Sequence, residues 1–141
     1  MLVSTRGRYA LCIMLDLAQC PGDAPVPLRD VAERQGIPVK YAEAIMSTLC
    51  RGNLVSGERG KGGGYRLTRK PKEYPVGEIL RLAEGSLSPV GCLEPEHDDC
   101  PRAGECLTLP LWAQLNRMIG NYLDGVTLRD LLRGKIPGAK K

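Results

Sequence analysis

The sequence predicts a mainly α-helical chain: a head containing one β-hairpin, followed by a long C-terminal helix. Three observations carry this. Apolar residues recur at helical spacing in several separate stretches. Aromatics are only 4% of the chain and phenylalanine is absent, so the core must be built from Leu, Ile, Val, Met and Ala, which suits packed helices. And the run RGKGGGYRLTR at 59–69 puts four glycines between two short alternating segments. A length of 141 residues leaves room for one domain, or one small domain with an appendage.

Taken in order, residues 5–19 read as a helix, with Ala10, Ile13, Met14 and Leu17 at i, i+3, i+4 and i+7 and with Leu11, Leu15 and Ala18 widening the face. PGDAPVP at 21–27 is a break. Leu28 to Gln35 makes a short helix with Leu28, Val31 and Ala32 inward, stopped by Gly36 as a left-handed cap. Pro38 can open a third helix to about Cys50, with Tyr41, Ile45, Met46 and Leu49 on one face and Gly52 closing it. Helix, tight glycine-containing turn, helix is a helix-turn-helix.

The glycine run then needs an explanation, since each glycine costs backbone entropy. It is not a P-loop: Lys61 is followed by Gly62 rather than Ser or Thr, and no helix pattern comes after it. The dinucleotide fingerprint also fails, because Tyr65 stands where its last glycine belongs. The residues after the glycines alternate like a strand, with Tyr65 and Leu67 on one side and Arg66 and Thr68 on the other, and Asn53 to Ser56 upstream is strand-like too. The glycines therefore form a hairpin tip. Helix, helix-turn-helix and hairpin together make a winged helix-turn-helix. The third helix can enter a major groove while the wing tracks the backbone or the minor groove.

Charge supports a polyanion partner for this half alone. Residues 1–70 carry 11 Lys/Arg against 6 Asp/Glu, whereas residues 71–141 carry 9 against 10. Arg29, Lys40, Tyr41 and Arg51 around the helix-turn-helix, with Arg59, Lys61, Arg66, Arg69 and Lys70 of the wing, are the candidate DNA contacts. Arg59 at the tip suits a narrow minor groove. The bland alternative is a helix-turn-helix used for protein contacts, with a solvated basic surface.

Beyond the wing, a short helix is expected over about 76–84, capped by Gly85, and residues 86–107 are too rich in Gly, Pro and acids for regular structure. Leu111, Leu115, Met118, Ile119, Tyr122, Leu123 and Val126 then form the strongest apolar stripe in the chain. Such a helix after a DNA-binding head is expected to pair two copies across a two-fold site; the alternative is that it folds back on its own subunit. Gly125 weakens its end, and Thr127 with Asp130 reads as a capping box opening a last short helix to Arg133, stopped by Gly134. The expected organisation is a head at 1–74 (recognition region about 28–51, wing about 54–68), a linker and short helix at 75–90, a cysteine segment at 91–107, the dimerisation and final helices at 108–134, and a tail at 135–141.

The six cysteines are not equivalent. Cys20 and Cys50 end helices and read as small hydrophobes. Cys92, Cys100 and Cys106 fall in GCLEPEHDDCPRAGEC, an irregular segment that buries little, so packing does not account for them. Zinc ribbons use paired C-x2-C knuckles, which this spacing lacks. Three thiolates on such a segment could instead hold an iron–sulfur cluster, with zinc and thiol switching as the other readings. Cys12 falls with Arg8, Asp16 and Gln19 on the polar stripe of the first helix, so a core role does not explain it either.

Several stretches together resemble the IscR-type winged-helix iron–sulfur regulators of the Rrf2 family. They are GRYAL at 7–11, PLRDVAERQGIPVKYAE at 27–43, LVSGERGKGGGYRL at 54–67, VGEIL at 76–80, and CLTLPLW and VTLRDLL near the C-terminal end. The resemblance covers nearly the whole chain. It implies a homodimeric transcription factor on double-stranded operator DNA that senses cluster status, iron, oxygen or nitric oxide. It matches Cys92, Cys100 and Cys106 to the cysteine ligands of a 2Fe-2S or 4Fe-4S cluster, and Glu43 and Arg59 to positions used on DNA. Two features depart from the pattern: the Cys92–Cys100 spacing is longer, and Leu109 stands where the family places a ligating histidine. That leaves the fourth ligand among Cys12 (offered across a dimer, as in some relatives), His97, the carboxylates Glu94, Glu96, Asp98, Asp99 and Glu105, or an exogenous group.

Some relatives of this fold dispense with a cluster and sense cysteine metabolism through a partner protein or their own thiols, and that is the competing reading. An enzyme is disfavoured, because His97 is the sole histidine and no nucleophile–base pair is suggested. The first twenty residues lack a small-residue cleavage site, and no apolar run nears the roughly 20 residues of a membrane span. A cytoplasmic chain with reduced thiols and no membrane contact is expected.

Overall fold

The computed structural model describes residues 3–97 and 100–140. Its elements follow the predicted order. The helices are α1 (Thr5–Gln19), α2 (Leu28–Gln35), α3 (Val39–Arg51), α4 (Val76–Glu84), α5 (Leu109–Asp124) and α6 (Leu128–Arg133). Between α3 and α4 lie β1 (Val55–Glu58) and β2 (Gly64–Leu67), with two 3-10 turns at Pro71–Glu73 and Gly91–Leu93.

The local signals act as expected. Gly36 takes the left-handed conformation (φ 64°) and stops α2. Pro38 is the extended residue before α3, so that helix opens at Val39. Thr127 and Asp130 form the capping box of α6, with Asp130 N–H donating to Thr127 Oγ1 at 3.2 Å and Thr127 N–H to Asp130 Oδ2 at 2.9 Å. Ala10, Ile13, Met14 and Leu17 of α1 are buried against Val31 and Ala32 of α2 and Ala42, Ile45, Met46 and Leu49 of α3. Tyr41 is only half-buried, its ring meeting Tyr9 edge-on at 5.6 Å between centroids.

The hairpin pairs Val55 with Leu67 and Glu58 with Gly64, leaving 59–63 as the tip. The break at 21–27 does more than connect helices. Val26 exchanges two backbone hydrogen bonds with Tyr65, both 2.8 Å, and so acts as a third, one-residue strand against the wing. A Cβ at Gly64 would run into the Val26 carbonyl, which is why only glycine fits there.

Packing departs from the sequence reading at two residues. Asp16 is not on a solvent stripe: it is 3% exposed, accepting from Arg34 Nε at 3.0 Å, Arg34 Nη2 at 2.8 Å and Gln35 Nε2 at 2.9 Å. The last turn of α2 docks over that side of α1 and satisfies the carboxylate. Val126 is not part of the α5 stripe, because the helix ends at Asp124 with Gly125 as its cap. Val126 is 4% exposed and packs with Val76, Leu80 and Leu87, with its carbonyl accepting from Val76 N–H at 2.8 Å. Packing also runs across residue 74. Tyr74, Ile79 and Ala83 lie in the head's core, and so does Leu128 of α6, at 0% exposure.

The α5 stripe divides in consequence. Ile119 and Leu123 turn partly inward onto the Val76–Leu80 cluster, while Leu111, Met118 and Tyr122 stay more than half exposed and Leu115 is half-buried. Leu111, Leu115, Met118 and Tyr122 succeed one another at 4, 3 and 4 residues, the seam spacing of paired helices.

The Asp16 network sets a pH dependence. Burial pushes its carboxyl up, but hydrogen bonds from Arg34 and Gln35 and the Arg34 charge outweigh burial and hold it below the ordinary range. A carboxyl depressed in the folded state stabilises above its unfolded pKa, and that contribution fades as pH falls through the folded value. Asp16→Asn should therefore cost about 1.5–3 kcal/mol at neutral pH and progressively less below about pH 4. Urea unfolding of both proteins across that range measures it; a constant difference would contradict the assignment.

Candidate nucleic-acid interface and cysteine segment

The helix-turn-helix displays its polar side outward. Arg29 on α2 and Lys40, Glu43 and Arg51 on α3 are exposed, and Arg59 and Lys61 stand exposed at the wing tip. The root of the wing is held from below. Tyr74 is fully buried, and its hydroxyl accepts from Thr68 N–H and Arg69 N–H, each at 2.9 Å, and donates to the Leu54 carbonyl at 2.8 Å. Sequence reasoning passed over Tyr74; the only signal was a tyrosine between two lysines and a proline.

Two predicted wing contacts are committed within the chain. Arg69 reaches both carboxylate oxygens of Glu78 at 2.7 and 3.1 Å and lies over the Tyr74 ring at 4.6 Å. Arg66 pairs with Glu58 across the hairpin. Arg69 is thus a brace between wing and α4, which sequence charge counting could not distinguish from a free cation. Among the described candidates, the positive charges that form no salt bridge with a carboxylate of the chain include Arg29, Lys40, Arg51, Arg59 and Lys61.

Helix α4 carries the contacts that join the parts. Leu82 packs against Gly52 at the end of α3, where a Cβ would collide with it. Arg81 pairs with Asp124 of α5 at 2.7 and 3.0 Å. Glu84 Oε1 accepts from Ser4 N–H, Ser4 Oγ and Gly7 N–H at 2.9, 2.7 and 3.0 Å, capping the start of α1. Gly7 has no room for a Cβ beside that carboxylate.

The cysteine segment leaves α4 at Gly85 and returns at α5. Cys92 is exposed and Cys100 and Cys106 are half-exposed, all three as free thiols. Among the described residues no three of His, Cys, Asp and Glu converge into a metal-binding group. The donors are soft sulfur atoms that suit iron, but they are not gathered into a ligand set. His97 is exposed on the same segment and Cys12 half-buried on α1, while Asp98 and Asp99 lie outside the described residues. Cys20 is half-exposed, with Arg34 Nη2 3.5 Å from its sulfur, and Cys50 packs on the head's core.

A basic helix-turn-helix face beside a rigidly rooted wing defines a DNA-binding protein of the winged-helix class. The chain belongs to the Rrf2 family of transcriptional regulators, whose profile, described as an iron-dependent transcriptional regulator, matches residues 3–134. It is 41% identical over 132 residues to the HTH-type transcriptional regulator IscR of Aliivibrio salmonicida, spanning 94% of this chain and 77% of that one. It is 37% identical over 133 residues to Protein rrf2 of Nitratidesulfovibrio vulgaris, covering 94% and 88%. Among solved structures, IscR of T. potens superposes with a TM-score of 0.75 at 36% identity, covering 100% of this chain and 94% of that one. CymR, the global cysteine regulator of B. subtilis, does so with a TM-score of 0.75 at 36% identity, covering 95% and 98%. The protein is a regulator and not an enzyme. No described helix is long and apolar enough to cross a membrane.

The thiols differ in reactivity. The Thr108 hydroxyl, 3.3 Å from Cys106 Sγ, and the backbone N–H groups of Thr108 and Leu109 hold the Cys106 thiol below its ordinary value, whereas burial pushes Cys50 up. The thiolate of Cys106 persists to lower pH, so iodoacetamide at about pH 7 should label Cys106 well before Cys50. Peptide mass spectrometry over time reads the order, and equal rates would contradict it.

Proposed function

We propose that this chain is a homodimeric transcriptional regulator that reads operator DNA with α3 and the wing and senses its signal through an iron–sulfur cluster on the 91–107 segment. The observation that carries the sensing part is the placement of three unbridged, solvent-accessible thiols on irregular backbone between α4 and α5. That segment adjoins the two helices through which a change could reach both the recognition helix and the paired subunit. Cys92, Cys100 and Cys106 would hold the cluster, with Cys12 of a second copy or His97 as the candidate fourth donor. A bound cluster supplies a centre that responds to oxidants and small ligands. The likeness to IscR proteins supports this reading.

A second reading has a specific observation behind it as well. The lowered Cys106 thiol and the likeness to CymR fit direct thiol sensing with no cluster.

Colour separates the two. Protein purified without oxygen should be brown, with visible absorption that is lost when any one of Cys92, Cys100 or Cys106 becomes Ala. Colourless protein, after reconstitution with iron and sulfide under argon, would overturn the cluster and leave the thiol reading.

The dimer and its DNA are tested on exposed positions that the monomer does not need. Leu111→Asp with Met118→Asp should give folded monomer in sedimentation, because an unpaired carboxylate in the seam costs several kcal/mol. Operator affinity of the parent protein should fall with salt at a log–log slope of about −5 to −10, and the monomer should show about half that slope. A dimer that survives both changes places the pairing surface elsewhere.

A further inference from the structure

Five large apolar side chains stand exposed among the described residues. Leu107, Leu111, Met118 and Tyr122 all belong to the segment leading into and along α5. The fifth is Val39, 45% exposed and alone on the head. It is the first residue of α3, and the core closes without it. A β-branched residue there is no aid to the helix, since it loses side-chain freedom that Ala or Lys would keep.

Its neighbours say what it faces. At 3.6 residues per turn, Glu43 lies one turn on and on the same side of α3. Lys40, Ala44, Ser47 and Arg51 complete the exposed arc. Arg29 of α2 lines the same shallow groove as Val39, together with Ala32, Glu33 and Ile37. An apolar knob beside a carboxylate, with Arg29 and Lys40 near it, suits the edge of a base pair flanked by phosphates. The major groove presents one apolar feature, the 5-methyl of thymine, and amines that a carboxylate can accept from, on cytosine N4 and adenine N6.

We propose that Val39 is a specificity-determining residue that packs on the methyl group of a thymine beside the base pair met by Glu43. The inference rests on α3 being the recognition helix and adds to it the base feature that Val39 selects.

The test uses full-length protein and an operator selected with it from a random duplex pool. Each thymine of one half-site is replaced in turn by deoxyuridine, which removes only the methyl, and affinities are read by fluorescence anisotropy. One position should weaken parent binding by about fourfold, the worth of one buried methyl. It should adjoin the base pair at which Glu43→Ala relaxes sequence choice. Val39→Ala should be indifferent to the methyl at that position, while Val39→Leu should still lose affinity with it. A parent protein insensitive to every replacement overturns the assignment, as does a loss that persists undiminished in Val39→Ala. If the pool yields no preferred sequence, or binding ignores salt, the reading of α3 itself has failed; a salt-sensitive preferred operator that ignores the methyls sinks Val39 alone.

Discussion

The hydroxyl of Tyr74 is the point on which the head is assembled. A buried hydroxyl without partners costs about 1–3 kcal/mol, so it must be met on every side. Here it takes N–H groups from the exit of β2 and gives its proton to the carbonyl that precedes β1. Both roots of the wing are thereby tied to one oxygen. The Tyr74 carbonyl accepts from Leu128 N–H at 3.1 Å, which draws in α6, and Arg69 over the ring draws in Glu78 of α4. This side chain, with the Val26–Tyr65 backbone pair, fixes the root of the wing relative to α3, on which any groove-spanning contact depends.

Charge is divided between construction and display. Arg34, Arg66, Arg69 and Arg81 each meet a carboxylate of the same chain. Arg29, Lys40, Arg51, Arg59 and Lys61 keep their charge on the outside, around the helix-turn-helix and the wing tip. Most of the internal pairs are solvent-exposed and contribute little each to stability. Their value is positional: they fix which element lies against which. Asp16 differs, because a carboxylate so deeply buried ties α1 to α2 or destabilises both.

The features legible in the sequence were those whose signals sit within a few residues. Gly36, the Thr127–Asp130 box and the 76–84 helix each rest on signals inside one or two turns, and each appears where expected. Pairings that bring distant segments together were not legible. Val26 looked like part of a break because its partner is Tyr65, and Asp16 looked solvated because Arg34 is eighteen positions away. Val126 fitted the α5 period yet belongs to the turn after it, since Gly125 ends the helix and Val76 claims its carbonyl. At the candidate site the exposure of Lys40, Glu43 and Arg59 was legible from helix and hairpin position, but the pairing of Arg69 with Glu78 and the exposure of Val39 were not, because exposure and ion pairing depend on the whole fold. The cysteine spacing was legible as an anomaly; whether three thiols on irregular backbone converge is not encoded by spacing, and among the described residues they do not.

Leu128 completes the core of the head, although more than fifty residues separate it from the end of the wing. On the ribosome this imposes an order. The recognition helix and wing emerge early, yet the interior that holds them is open until α6 has been made. A nascent chain therefore leaves the interior beneath its helix-turn-helix incomplete until the cysteine segment and α5 have also been made.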